Sequence, residues 1–202
     1  VSAAIDVAII DSGGANLASL RYALERLGAR SLVSSDAATI AAAPRVLLPG
    51  VGAAGNAMQR LRAAGLDALI PQLTVPLLGI CLGMQLLFAH SAEDDTRCLG
   101  VLNGSVARLR SRPGLPVPHM GWNTLELQRP DPLLAGLAAG DYLYFVHSYA
   151  VPAGPSTLAA TDYGGPLSAV VRRANFYGVQ FHPERSSQAG ARLLRNFLAL
   201  PH

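Results

Sequence analysis

The chain of 202 residues contains no lysine, so all 16 of its basic side chains are arginine. Without a primary side-chain amine there can be no Schiff-base lysine and no phosphate-cradling P-loop lysine, which removes two broad classes of enzyme chemistry. Cysteine is nearly as scarce. Cys81 and Cys98 are the only two, too few for a disulfide framework, and a soluble cytoplasmic protein is the simplest expectation. Long apolar runs are missing too. The longest, 75–89, is interrupted by Gly79, Gly83 and Gln85 and falls short of a bilayer's thickness, so no membrane span is expected. The N-terminus carries no basic stretch before its first apolar run, so no signal peptide is expected either. Charged residues are sparse, at 14 % with a net charge of +3, and the arginines form no dense run, which argues against a nucleic-acid partner. Linkers, repeats and low-complexity segments are absent, and residues 1–202 read as one domain.

What is present is apolar: half of the residues are hydrophobic, enough to bury a full core. Residues 4–10 suit a buried strand, followed by the turn-like Asp11-Ser12-Gly13-Gly14 and by Asn16, a good helix N-cap. Leu17, Leu20, Ala23, Leu24 and Leu27 then recur at helical spacing, and Gly28 closes the pattern. This strand, loop and helix lack the G-x-G-x-x-G spacing of a dinucleotide site, so no such cofactor is expected. Residues 31–34 predict a second strand, 36–42 a short helix, and 45–48 a third strand running into Pro49-Gly50-Val51-Gly52. Met58, Leu61, Leu66, Leu69 and Ile70 form helical cover. Strands alternating with helices mean a parallel α/β sheet, in which sites gather at the carboxyl ends of strands. Beyond Cys98 the texture changes to strands at 101–110, 123–128, 142–146, 167–172 and 176–181, joined by Pro- and Gly-rich turns. A last helix starts near Ser186 or Ser187 and runs through Leu198. The expected fold is α/β, with a mostly parallel central sheet flanked by helices and a hairpin-rich second half.

The stretch Gly79-Ile80-Cys81-Leu82-Gly83-Met84-Gln85, preceded by Val75-Pro76-Leu77-Leu78, has the mechanics of a nucleophile elbow. Glycines two residues either side of Cys81 remove the β-carbons that would obstruct a sharp turn from strand to helix. A helix is expected from about residue 82 to 90, and the partial positive charge of its first turn favours a thiolate at Cys81. The competing reading is a buried, inert cysteine that packs as a small hydrophobe.

Gln180-Phe181-His182-Pro183-Glu184 closes the strand expected at 176–181. Residues two apart on an extended chain share a side, so His182 and Glu184 can face one point as base and orienting carboxylate. A solvated turn is the bland alternative. Metal binding is disfavoured because neither cysteine has a Cys or His partner at ligand spacing. The remaining histidines, His90, His119, His147 and His202, look isolated and are expected in surface or turn roles.

Gly79-Ile80-Cys81-Leu82-Gly83-Met84-Gln85 together with His182-Pro183-Glu184 resembles the class I, triad-type glutamine amidotransferase family, and the resemblance spans most of the chain. Pro49-Gly50-Val51-Gly52 is similar to that family's oxyanion loop, and the order of loop, Cys and His-x-Glu agrees. Pro118-His119-Met120-Gly121-Trp122-Asn123 and Tyr144-Phe145-Val146-His147-Ser148-Tyr149, with Arg185-Ser186-Ser187, are similar to a branch whose glutaminase subunit feeds a separate (β/α)8 cyclase subunit. One departure is Asp11-Ser12-Gly13-Gly14-Ala15-Asn16, where the family tends to carry an aromatic after the Asp and a Gly before the Asn.

The resemblance implies hydrolysis of L-glutamine by a Cys81, His182 and Glu184 triad, with ammonia passed to the cyclase partner and no cofactor or metal on this chain. It also implies oxyanion donors at Leu82 and in Gly50-Val51-Gly52, and a glutamine pocket that includes Glu93, Ser148 and Tyr149. Gln85 lies one helical turn beyond Cys81 and is expected to face the substrate. Asn16, Met120, Trp122, Asn123 and Arg185 are expected at the partner interface, with Trp122 as the aromatic anchor in a turn-rich stretch. An amidotransferase of the anthranilate synthase type, a stand-alone γ-glutamyl hydrolase and a catalytically silent protein on this fold remain alternatives.

Overall fold

Four short segments, Val7–Ile10, Val46–Gly50, Leu77–Cys81 and Phe176–Val179, are buried at every position, the mark of strands covered on both faces. The computed structural model describes residues 5–12 and 17–201. Its elements run β1 (Val7–Ile10), α1 (Leu17–Arg26), β2 (Ser31–Ser34), α2 (Ala37–Ala41), β3 (Val46–Gly50), α3 (Ala54–Ala63) and α4 (Leu66–Leu69). Then come β4 (Leu77–Cys81), α5 (Leu82–Leu86), β5 (Phe88–Ser91), β6 (Thr96–Arg97), β7 (Leu102–Arg108), β8 (His119–Asn123) and β9 (Glu126–Leu127). The chain closes with β10 (Leu143–His147), β11 (Tyr149–Ala150), β12 (Thr157–Asp162), β13 (Pro166–Arg173), β14 (Phe176–Val179) and α6 (Ser187–Leu198).

The central sheet has eight strands in the order β2-β1-β3-β4-β14-β13-β12-β9. Its first five strands pair in parallel and the last three join antiparallel, through the β12–β13 and β13–β14 hairpins. Alternation along β1 splits the core in two. Val7 and Ile9 join the layer of α1 and α6, with Leu20, Leu24, Leu193, Leu194 and Phe197. Ala8 and Ile10 join the layer of α3 and α4, with Met58, Leu61, Leu66 and Ile70. Two smaller sheets are β10-β8, whose Val146 carbonyl lies 3.8 Å from Cys81 Sγ at the carboxyl end of β4, and β11-β7-β5-β6. No helix among the described residues is long and apolar enough to cross a membrane.

Several local expectations are corrected. The helix expected over 82–90 stops at Leu86, because Phe88–Ser91 is drawn into a parallel pairing with β7. Residues 119–123, expected to be turn-rich, form β8, which finds its hydrogen-bond partner in β10. Strand β12, absent from the expected set, is almost wholly buried and is fixed by its hairpin with β13. Asn16, expected both as an N-cap and at an interface, lies outside the described residues.

Candidate active site

The parallel register aligns the ends of three strands: Gly50 at the end of β3 pairs with Cys81 at the end of β4, and β14 beside them leads into His182. Cys81 turns the chain from strand to helix in a left-handed conformation, φ 54° and ψ −110°, that a residue with a β-carbon rarely adopts. The close approach of α5 to the sheet requires the flanking glycines. A β-carbon on Gly83 would sit 1.7 Å from the Leu48 carbonyl oxygen, and one on Gly79 would sit 2.6 Å from the Gly83 carbonyl oxygen. The elbow read from the sequence is therefore present, and for the steric reason given.

His182 stands at the rim of the same turn. Its backbone N–H donates to the Tyr144 carbonyl at 2.9 Å. The buried Ser186 hydroxyl locks it from the other side, donating to the His182 carbonyl at 2.6 Å and accepting from the Tyr144 N–H at 3.0 Å. The His182 Nδ1–H donates to Glu184 Oε1 at 2.8 Å, and the two side chains are only 9 % and 6 % exposed. That contact fixes the tautomer and turns Nε2 toward Cys81. The local reason differs from the expected one. Pro183–Arg185 is a single 3-10 turn, so Glu184 reaches back to His182 by a turn and not by strand alternation. Glu184 Oε2 is buried with no hydrogen-bond partner among the described residues. Burial by itself pushes the His182 imidazole pKa down, but the hydrogen bonds and negative charge of Cys81 and Glu184 outweigh it and raise the value to about 10.

Cys81 and His182 line a cavity of about 350 Å³, within the usual range for small-molecule sites. Val51, Gly52, Leu82, Gln85, Glu93, Ser148 and Tyr149, all expected at the substrate, also line it. Gly50 lies just behind, on a smaller cavity of about 110 Å³ shared with Val51, Glu184 and Arg185. Gln85 is held by donating to the Tyr149 carbonyl at 2.8 Å and to Gln180 Oε1 at 3.0 Å. Glu93 sits in a 3-10 turn after β5, not at a helix end, and its Oε2 accepts the Ala54 N–H at 2.8 Å. Burial raises the Glu93 carboxyl pKa despite that hydrogen bond. Among the described residues no cluster of three or more His, Cys, Asp or Glu side chains is placed to share a metal.

A sequence model of the family described as "Glutamine amidotransferase class-I" matches residues 8–200. This chain belongs to that family. It is 56 % identical over 195 residues, 96 % of this chain and 98 % of the relative, to "Imidazole glycerol phosphate synthase subunit HisH" of Xanthomonas axonopodis pv. citri. A relative with the same description from Xylella fastidiosa is 55 % identical over 96 % of this chain and 98 % of its own length. Among solved structures, one described as "Crystal structure of glutamine amidotransferase" superposes with a TM-score of 0.74 at 22 % identity, covering 95 % of this chain and 96 % of that one.

In this amidotransferase the sequence reading missed four residues. Gln180 is fully buried and directs Nε2 toward Cys81 Sγ at 3.8 Å. Ser186, expected only as a helix cap, makes no cap hydrogen bond and instead holds His182. His119 and His147, expected as isolated surface or turn residues, are buried at 4 % and 6 % exposure and hydrogen-bond to each other at 3.0 Å. His147 also lines the cavity. No local sequence signal pairs them, because they meet only through the β8–β10 register, where His147 lies opposite His119.

Of the expected interface residues, Met120 and Trp122 fall on the opposite face of β8, and Arg185 reaches the same side from the 183–185 turn. Met120 and Trp122 are 66 % and 52 % exposed. Trp122 makes an edge contact with Tyr144, and the Arg185 guanidinium lies 4.7 Å from the centre of the Tyr144 ring. Asn123 points the other way, giving its amide N–H to the Asp162 carbonyl at 2.9 Å.

Proposed function

We propose that this chain is the glutaminase subunit of an imidazole glycerol phosphate synthase. In that role it hydrolyses L-glutamine to glutamate and ammonia and hands the ammonia to a cyclase subunit in cytoplasmic histidine biosynthesis. The observation that carries the reading is the line Cys81, His182, Glu184, with Cys81 and His182 in the wall of the 350 Å³ cavity and Glu184 held on the far side of His182. The full-length likeness to relatives described as HisH supports the choice of synthase.

The chemistry follows from the arrangement. Cys81 sulfur attacks the side-chain carboxamide carbon of glutamine, and the carbonyl oxygen takes the negative charge. Backbone N–H groups of Leu82 and of the Gly50-Val51-Gly52 loop are the proposed oxyanion donors. His182 Nε2–H protonates the departing nitrogen, which leaves as ammonia, and a γ-glutamyl thioester remains on Cys81. The imidazole, now neutral, takes a proton from water as the water attacks the thioester. The thiolate departs, glutamate is released and the resting pair is restored. Glu184 keeps the proton of Nδ1 in place throughout. Glu93 is assigned to the α-ammonium of glutamine, with Gln85, Ser148 and Tyr149 around it. The exposed face of Met120, Trp122, Tyr144 and Arg185 is assigned to the cyclase subunit, the aromatic residues and arginine being favoured interface anchors.

The test is glutamine-dependent formation of imidazole glycerol phosphate by this chain mixed with the cyclase subunit. Activity should appear with both chains, vanish in Cys81→Ser and fall in Trp122→Ala through weaker assembly. Full glutamine hydrolysis by the isolated chain, unchanged by the cyclase, would instead identify a stand-alone hydrolase.

A further inference from the structure

Tyr149, in the wall of the glutamine cavity, presents its carbonyl oxygen to two donors, Gln85 Nε2 at 2.8 Å and His147 Nδ1 at 2.9 Å. A carbonyl only accepts, so the proton of His147 is on Nδ1. Its Nε2, 3.0 Å from His119 Nδ1, is then the acceptor, and His119 carries its proton on Nδ1. His119 Nε2 is left to accept, and the group it faces is the Asn123 amide nitrogen at 3.4 Å. Asn123 cannot turn its oxygen there without losing two contacts, because Oδ1 accepts the Thr124 N–H at 2.8 Å and Nδ2 donates to Asp162. The polarity of the chain is therefore set at both ends, and it closes only if both imidazoles are neutral.

The surroundings hold them that way. Burial pushes the His119 pKa down to about 4, and burial together with repulsion from His119 and His182 brings His147 to about 4 against the hydrogen bond to Tyr149. His119 stacks on Phe145 at 4.8 Å and on Tyr163 at 3.9 Å, which fixes its ring plane.

We propose that His119 and His147 are positioning residues for glutamine binding: a one-way hydrogen-bonded pair that pins the Val146–Tyr149 wall of the cavity and the Gln85 amide. The inference rests on the glutaminase reading above. Neither ring takes part in the bond-making steps. The pair acts through the Tyr149 carbonyl, which it shares with Gln85, and Gln85 in turn orients Gln180 beside the nucleophile.

The experiment uses the Cys81→Ser chain, in which bound glutamine is not consumed. Glutamine affinity is measured by NMR titration, and the 15N shifts of both imidazoles are read in the same samples. The expected spectrum shows both rings neutral at pH 6 with the proton on Nδ1. Adding His119→Phe keeps an aromatic ring between Phe145 and Tyr163 but leaves His147 Nε2 without its donor. Glutamine affinity should fall roughly tenfold as the Tyr149 wall loses its fixed place, and the buried acceptor left unpaired on His147 should also lower the thermal midpoint of the free chain. His119→Gln, which breaks the stack but can both donate and accept, should recover most of the affinity. A charged ring at pH 6, reversed tautomers, or unchanged affinity in His119→Phe would overturn the proposal. If the Cys81→Ser chain with both histidines in place takes up no glutamine, the glutaminase reading itself falls and this inference with it.

Discussion

Replacing Glu184 by Gln isolates what the carboxylate does for His182, because the change is nearly isosteric and the site admits little movement. The hydrogen bond it removes is a charge-assisted one of 2.8 Å between side chains 9 % and 6 % exposed. Such a bond contributes about 1.5–3 kcal/mol, equivalent to roughly 10- to 150-fold in rate if lost only in the transition state. The amide has two orientations, and both fail. With Oε1 on His182, the NH2 group occupies the place of Glu184 Oε2, which is buried and has no partner among the described residues, so its two donors find none there. With the NH2 on His182, the imidazole must move its proton to Nε2, the wrong tautomer for a base acting on Cys81 or water. The prediction is a fall in kcat of at least about tenfold with KM for glutamine little changed, since Glu184 does not line the main cavity. Steady-state glutaminase kinetics of the assembled synthase, with the rate of Cys81 alkylation as a second readout, would measure it. A variant within threefold of wild type on kcat would refute the assignment of Glu184 as the orienting group.

Three further outcomes are expected. Glu93→Gln should raise KM for glutamine with kcat nearly unchanged, because Glu93 borders the cavity away from the triad; an unaltered KM would leave it as a structural acceptor for Ala54. Gly83→Ala should destabilise the fold by more than about 4 kcal/mol in urea unfolding, since its β-carbon would meet backbone at 1.7 Å, and a loss below about 1 kcal/mol would mean the elbow can relax. The pKa of His182 is raised in the folded chain to about 10, so its contribution to stability is fully present below its ordinary value of 6.5 and is lost as pH climbs through about 10. Thermal midpoints should therefore fall between pH 7 and 10, more in wild type than in Glu184→Gln.

The elbow was legible from the sequence because its cause is local: two glycines, a run of buried-strand residues and a turn that nothing else fits. His182 and Glu184 were legible as a pair, but the 3-10 turn that joins them was not, since Pro183 is compatible with either geometry. The helix expected past Leu86 failed where a tertiary pairing overrode local pattern, for Phe88–Ser91 becomes a strand only because β7 lies beside it. Residues 119–123 misled for the opposite reason. Pro118 and Gly121 signal a turn, while the β10 register that makes the segment a strand is set by residues twenty or more positions away. That register also brings His119 to His147, which is why two histidines that look isolated along the chain form a buried pair.

The parallel alignment of β3, β4 and β14 has a consequence for how activity arises during folding. Gly50, Cys81 and His182 come from three segments far apart in sequence, and β14 reaches β4 only after the whole hairpin-rich half has been made. A chain emerging from the ribosome presents Cys81 well before it presents His182. Until the last strand docks, the thiol lacks its base, and no partly folded species can hydrolyse glutamine. Pairings of such long range form late and slowly, so the return of glutaminase activity after denaturation is a clock for the final closure of the sheet, ticking only when the last parallel strand is in register.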